Sequence, residues 1–388
     1  MTHFDPEALA ARLDAHIAAE TALAHFGGIG ICVAQGGKII YKKYHGCTSY
    51  ATGEPLDENN GDRAVFRLAS MSKPITTVAA LIQVSRGLLD PDAPIGGLLP
   101  EFDDMSIGRL EEDGSFTTVG KATHKLTLRN LLNHTNGVGT YELGERQIAL
   151  MTAEDMQDLD HVAAYISRSL ISFDPTTEQM YSGVWAFDVV ARLIEKTSGM
   201  DFASFLKKNI FDPCGMTDTT FAPTPDQWSR MVALHGCAEA NGAPCSIDVP
   251  THPGSVFAHF PVTWPSGGAG LASTLPDYIR FVDMLSRGGV TADGVRILPE
   301  EWVRAMSTPT VPEHIMPGCE RWGLGVRVIL PTHPWMPGGC FGWSGAYGTH
   351  FWIDPENDLY FILMRNSTFE GGAGTETVCK FEQVVYAK

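Results

Sequence analysis

The sequence predicts an α/β (α+β) protein in which one antiparallel sheet is assembled from both chain ends and a mostly helical part is inserted between them. Three observations carry this reading. Two β-rich runs flank a Gly-Gly pair near the N-terminus, helical periodicity dominates residues 86–255, and strand-like runs return towards the C-terminus.

The elements follow in order. "MTHFDPEALAARLDAHIAAETALAHFGG" is acidic and regularly amphipathic, so it reads as a surface helix. A signal peptide would need a basic start and a continuous apolar centre. "GIGICVAQGGKIIYKKYHGCTS" holds two strand runs around Gln35-Gly36-Gly37-Lys38, and a Gly-Gly pair between such runs is a hairpin signal. The glycines of "GGIGI" do not make a dinucleotide loop, because a strand follows them where that loop needs a helix. "FRLASMSKPITTVAALIQVSRG", residues 66–87, passes from an alternating run into an apolar helical one.

"LTLRNLLNHTNG", "AEDMQDLDHVAAYISRSL", "SGVWAFDVVARLIEKTSG" and "DFASFLKKNIFDPCG" are helical segments separated by Pro, Gly and Asp loops. "HGCAEANGAPCSIDVPTHPGSVFAHFPVTWPSGG" has little periodicity, which suits either a binding loop or plainly packed chain. "WGLGVRVIL", "AYGTHFWI" and "LYFILMRN" are strands, the last two joined by "DPEND", and a helix around 371–386 closes the chain. Hairpin links imply antiparallel neighbours. Residues 1–85 and 256–388 are therefore expected to form the part with the sheet, and 86–255 the inserted helical part.

Composition excludes several classes of function. With 28 Lys and Arg against 45 Asp and Glu the net charge is -17, and no basic cluster offers a footprint for nucleic acid. No apolar run approaches the roughly 18 residues a membrane span needs, and no lipidation signal appears, so no membrane partner and a cytoplasmic location are expected. The eight cysteines stand singly, without CxxC or finger spacing, and read as buried reduced thiols. HExxH is absent, and neither a metal nor another cofactor is indicated.

Ser70 and Lys73 are the candidate catalytic pair. Three residues apart at a helix start, they share a face. The free N–H groups and positive dipole end there favour a developing oxyanion. A serine hydroxyl needs a base, and a desolvated lysine gives up its proton more readily than one in water. An S-x-x-K alone is common, and a serine at a helix start is usually an N-cap, but the apolar run behind this one would bury the lysine.

S-x-x-K at the start of a buried helix resembles the penicillin-recognising serine enzymes. "LTLRNLLNHTNGV", "YSGVWAFDVVARLIEKTSGM", "PSGGAGLASTLPDYIRFVDML" and "GWSGAYGTHFWIDPENDL" resemble, in order and spacing, segments of class C β-lactamases and their esterase relatives over about residues 25–385. The resemblance implies a β-lactamase/transpeptidase-like fold with a cleft between the two parts. It implies Ser70 as nucleophile, Lys73 as its partner and Tyr181 as the phenol that shuttles protons. Lys73 and Tyr181 should titrate together, and the residues leave open which of them takes the serine proton. Ser70 and Ala346 would supply the oxyanion N–H groups, and Trp343, Ser344 and Gly345 would line the substrate site.

Two departures resemble the family VIII carboxylesterases. Tyr181-Ser182-Gly183 lacks the Asn of Tyr-x-Asn, and Trp343-Ser344-Gly345 lacks the lysine of Lys-Thr-Gly. Trp343 would be a flat apolar wall, with Trp264 and Phe257 as candidate neighbours. The expected substrate is thus a small neutral ester. β-Lactamase, D-aminopeptidase or amidase and acyltransferase activities are the alternatives, and a non-catalytic binding relative would be expected to lose Ser, Lys or Tyr. "GWSGA" nearly matches a nucleophile elbow around Ser344, but a strand follows where that elbow needs a helix. His134 could act as a base, although the resemblance makes it a packing residue. Asp188 and Arg192, four apart on one helix, are expected to pair.

Overall fold

A computed structural model of the chain describes residues 4–22, 27–237, 243–247, 264–369 and 371–387. Helix α1 (Pro6–Ala22) leads to strands β1 (Gly28–Gln35) and β2 (Lys38–Gly46). Gln35 pairs with Lys38, and Gly36 and Gly37 between them have φ of 60° and 70°. A two-residue hairpin needs this left-handed pair, which side chains resist. Strand β3 (Val65–Arg67) gives way to a 3-10 turn (Ala69–Met71) and then α2 (Ser72–Ser85). Residues 72–84 of α2 are all buried, so it is a core helix with no solvent face.

The middle of the chain contains β4 (Ser106–Leu110), β5 (Phe116–Lys121), α3 (Leu128–Leu132), α4 (Tyr141–Ala149), α5 (Leu159–Arg168), β6 (Leu170–Ile171), α6 (Trp185–Ser198), α7 (Phe202–Leu206), α8 (Asp212–Cys214) and α9 (Pro225–Ser229). Next come β7 (Leu234–Cys237), β8 (Pro244–Ile247), β9 (Ala272–Thr274), α10 (Leu275–Ser286) and α11 (Glu300–Met306). The chain ends with β10 (Glu320–Trp322), β11 (Arg327–Ile329), β12 (Phe341–Ser344), β13 (His350–Asp354), β14 (Leu359–Arg365) and α12 (Glu376–Tyr386).

The main sheet has the order β10-β11-β12-β13-β14-β1-β2 and is antiparallel throughout. The chain ends meet where β14 pairs with β1, from Ile29 opposite Arg365 to Gln35 opposite Leu359. Both faces of these strands are covered. Ile29, Ile31, Val33, Phe361 and Leu363 pack with Leu13 of α1 and Phe381 of α12, while Cys32, Ala34, Ile362 and Met364 face the core that contains α2, α6 and α10. That is why "LYFILMR" reads as an unbroken apolar run.

The structure differs from the sequence reading in detail. Within the segment 86–255, expected to be mostly helical, β4, β5 and β6 form a small sheet. Its sequence signal is Asp113-Gly114, a turn pair whose glycine has φ 83°. The irregular segment contains a hairpin of β7 and β8. "WGLGVRVIL" is two strands, since Gly325 turns the chain at φ 69° where a Cβ would lie 1.9 Å from Thr77 Oγ1. β12 lies inside the sheet, between β11 and β13. Phe257 lies outside the described residues. Among the described residues Cys32, Cys214 and Cys340 are buried free thiols, and no helix is long and apolar enough to cross a membrane.

A buried ion pair ties α12 to the sheet. Glu382 accepts from Arg327 of β11 and from Trp335 Nε1 (2.9 Å), and His350 Nε2 lies 3.4 Å away. Burial opposes its ionisation, but His350 and Arg327 outweigh burial and hold the carboxyl at about 2. Because this is below the ordinary glutamate value, the stability it contributes is full above that value and is lost as pH falls through about 2. Glu382→Gln is expected to cost about 3 kcal/mol at neutral pH and to flatten the acid-side loss of stability, as measured by urea unfolding across pH.

Candidate active site

The site begins with strain. Ala69 enters the 3-10 turn at φ 48°, a left-handed conformation that costs a residue with a Cβ about 1–2 kcal/mol. The turn leaves Ser70 half-buried and Lys73 fully buried. Lys73 Nζ lies 3.1 Å from Ser70 Oγ, 2.6 Å from the Gly183 carbonyl and 2.9 Å from the Gly268 carbonyl. Three acceptors thus face the three donors of an ammonium. Gly183, which offers no side-chain amide, serves Lys73 through its backbone.

Glycines bring the second carbonyl in. A Cβ on Gly267 would meet the Phe187 carbonyl at 2.5 Å, and one on Gly268 the Val184 carbonyl at 2.6 Å. The segment therefore lies directly on α6. Thr76, one turn after Lys73, donates to the Gly267 carbonyl (2.7 Å).

Tyr181 stands beside this group, its ring centroid 4.9 Å from Lys73 Nζ. The ring stacks on Trp322 (5.9 Å, 10° between planes), and Trp343 packs against both. Trp343 Nε1 donates to the Tyr181 hydroxyl at 3.3 Å. Trp343 is therefore more than the apolar wall expected of it. Trp322 was not singled out in the sequence, where it is one apolar aromatic in a short strand; its only distinguishing feature is the ring it meets.

His134 is buried behind them at φ 60°. Its Nδ1 accepts the Ser182 N–H (3.1 Å), its carbonyl accepts the Met180 N–H (3.1 Å), and its ring packs against Trp322 and Tyr181. Burial, with the charge of Lys73 added, pushes its pKa well below the usual histidine range. It holds both neighbours of Tyr181 as a neutral ring.

β12 closes the site. Its pairing with β11 covers only Phe341 and Gly342, so the strand is open on that side at Trp343 and Ser344. Ser344 is buried with Oγ 2.7 Å from His350 Nδ1, turned away from the face that Trp343 occupies. Gly345 meets the Ser70 turn, where an added Cβ would lie 2.3 Å from the Leu68 carbonyl. Thr349 Oγ1 donates to that same carbonyl (2.9 Å). Ala346 is exposed, and its N–H makes no hydrogen bond among the described residues.

The expected Asp188–Arg192 pair does not form. Arg192 binds Asp160 and Glu195, whereas Asp188 is fully buried and accepts from Trp264 Nε1 and Ser266 Oγ. Trp264 is accordingly buried against α6 instead of lining a cleft. Among the described residues no cluster of His, Cys, Asp and Glu could hold a metal ion.

The chain matches the Beta-lactamase family over residues 13–377. The chain belongs to that family. It is similar to Esterase EstB of Burkholderia gladioli, at 29% identity over 99% of this chain and 97% of that protein. It is also similar to monacolin J acid methylbutanoyltransferase of Aspergillus terreus, at 31% identity over 83% of this chain and 82% of that protein. Among solved structures, "EstCE1, a hydrolase with promiscuous acyltransferase activity" shares the fold at a TM-score of 0.79 and 22% identity, over 98% of this chain and 99% of that one. The fold expected from the motifs is therefore the fold found, and the beta-lactamase-family chain is a serine hydrolase by membership.

Gly345→Ala tests the closure. The methyl group would push β12 off the Ser70 turn, and misplacement by about 1 Å costs on the order of a hundredfold in rate. Turnover of p-nitrophenyl butyrate is expected to fall at least tenfold, while the circular dichroism spectrum stays unchanged.

Proposed function

We propose that this protein is a serine carboxylesterase acting on small neutral esters through an acyl-enzyme on Ser70. The observation that carries the proposal is the Lys73 amine 3.1 Å from the Ser70 hydroxyl, beside the Tyr181 phenol. Ser70 Oγ attacks the ester carbonyl, and its proton passes to the Lys73–Tyr181 pair. The N–H groups of Ser70 and Ala346 take the developing oxyanion. Tyr181 returns the proton to the leaving alcohol as the acyl-enzyme forms. Water then attacks the acyl carbonyl and loses its proton to the same pair, which returns it to Ser70 Oγ as the bond from Oγ to the acyl group breaks and the acid leaves.

Trp343 favours esters over lactams. A cation in its place would hold the substrate carboxylate through a charge-assisted hydrogen bond worth roughly 1.5–3 kcal/mol, one to two decades in rate. The indole offers a neutral ring, and its N–H is directed at Tyr181. The side-chain amide missing at Gly183 removes a contact that an amide substrate would use. Similarity to Esterase EstB along nearly the whole chain supports this reading.

A second reading is acyl transfer, favoured by the 31% identity to a methylbutanoyltransferase. The acyl-enzyme would be the same, with an acceptor alcohol in place of water.

Turnover of short-chain p-nitrophenyl esters is expected to exceed that of benzylpenicillin at least about a hundredfold in kcat/KM, a size set by the missing carboxylate contact. Equal or better turnover of the penicillin would restore the lactamase reading. Ser70→Ala should abolish activity, and intact-mass spectrometry should find a fluorophosphonate adduct on Ser70 in the wild type alone. Lys73 and Tyr181 substitutions should each remove most of the activity, with the double variant little worse than either. Additive losses would mean that the two do not share one proton path. Adding an alcohol acceptor during turnover separates the readings, since a transferase forms the new ester faster than the free acid.

A further inference from the structure

Asp188 is a costly residue for its place. It lies in the first turn of α6, fully buried, and among the described residues it forms no ion pair, the nearby pairs being Arg192 with Asp160 and Glu195. A buried carboxylate without an ion-pair partner is expensive unless its oxygens are fully hydrogen-bonded. They are: Oδ1 accepts from Ser266 Oγ (2.7 Å) and, more weakly, from the Gly268 N–H (3.4 Å), and Oδ2 accepts from Trp264 Nε1 (3.1 Å). The residue whose N–H reaches Asp188 is the one whose carbonyl receives Lys73.

We propose, on the basis of the Ser70 esterase reading, that Asp188 is a positioning residue for Lys73, holding the 264–270 segment so that the Gly268 carbonyl meets the amine and opposing the ammonium with its own negative charge. Only a carboxylate accepts at both oxygens. An amide or a protonated carboxyl must turn a donor to one side, against the indole N–H of Trp264 or against the Gly268 N–H, since of the three partners only Ser266 Oγ can also accept.

The charges around α6 leave Lys73 as the group that bears on Asp188. Arg192 of α6 is taken by Asp160 of α5 and by Glu195, and Arg129 of α3 is taken by Asp92. Residues 202–206 of α7 and 264–270 contain no charged side chain, and His134 is neutral. Burial pushes the Asp188 carboxyl up to about 7, against the pull of Ser266, Trp264, Gly268 and the Lys73 charge. As pH falls through about 7 the carboxyl takes a proton, Lys73 loses its opposing charge, and esterase activity should fall with it.

The test measures kcat and KM for p-nitrophenyl butyrate from pH 5.5 to 9 in wild type, Asp188→Asn and Asp188→Asn/Trp264→Phe, with melting temperatures. Asp188→Asn is expected to lose at least about tenfold in kcat at pH 8, keep KM within about twofold, and lose the limb near pH 7. The double variant, freed of the clash between donors, should recover melting temperature but neither rate nor limb. A wild-type limb in Asp188→Asn, or recovery of both stability and rate in the double variant, would overturn the proposal.

A spectroscopic arm does not depend on turnover. A protonated-carboxyl infrared band that is absent in the Asp188 variants should titrate near pH 7 and move to higher pH in Lys73→Met. A band that stays put in Lys73→Met also overturns the proposal. If instead the wild type hydrolyses no ester, or Ser70→Ala does, it is the esterase reading that fails, and the infrared arm still decides the role of Asp188.

Discussion

The rest of the structure depends on keeping the Lys73 amine, with the charge it can carry, out of water. Removing an ammonium from solvent costs several kcal/mol unless its donors are met. Here they are met by one hydroxyl and two backbone carbonyls from segments more than a hundred residues away in the chain. A carbonyl is a dipole rather than a charge, so the lysine is held without being locked into an ion pair. That requirement explains why α2 is buried all round and why glycines, not larger residues, stand at 267 and 268, where a Cβ would meet the Phe187 and Val184 carbonyls.

The other half of the site is built by aromatic packing. Tyr181 stacks on Trp322, is flanked by Trp343 and has His134 behind it, so the phenol is held in place by rings that carry no formal charge. Trp322 and Trp343 come from β10 and β12 of the main sheet, whereas Tyr181 and His134 come from the central segment. The chemistry proposed at Ser70 therefore requires the two parts to be in register. Gly345 and Thr349 set that register by meeting the Leu68 carbonyl, one residue before the strained Ala69. The strain is sustained because the surrounding contacts over-determine the turn.

The buried network on the far side of β12 has a different role. Ser344, His350, Glu382 and Arg327 form a chain of polar contacts resembling a hydrolase triad in composition alone. Its serine is buried and faces away from Ser70, and its acid is held by an arginine. It connects α12 to the strand that closes the active site, so local sequence similarity to a nucleophile elbow reflects packing.

The sequence by itself determined the residues that have to be of one type. Gly36 and Gly37 predict their hairpin because only glycine takes two left-handed positions cheaply, and the S-x-x-K spacing predicts that Ser70 and Lys73 meet because one helical turn brings them together. The two-ended sheet was legible for the same reason: period-two runs and tight turns are local. What was not legible depends on contacts between distant segments. The hairpin of β4 and β5 was signalled by Asp113-Gly114 but lay among helical runs. The roles of Trp322, Trp343 and Asp188 had no local mark, since an aromatic ring or a carboxylate reads the same in any helix or strand. Asp188 and Arg192 have the spacing of a pair, yet α6 turns one into the core and leaves the other to Asp160. Only the tertiary structure decided which donors reach a buried oxygen, because that choice is made by burial and by partners that chain spacing does not record.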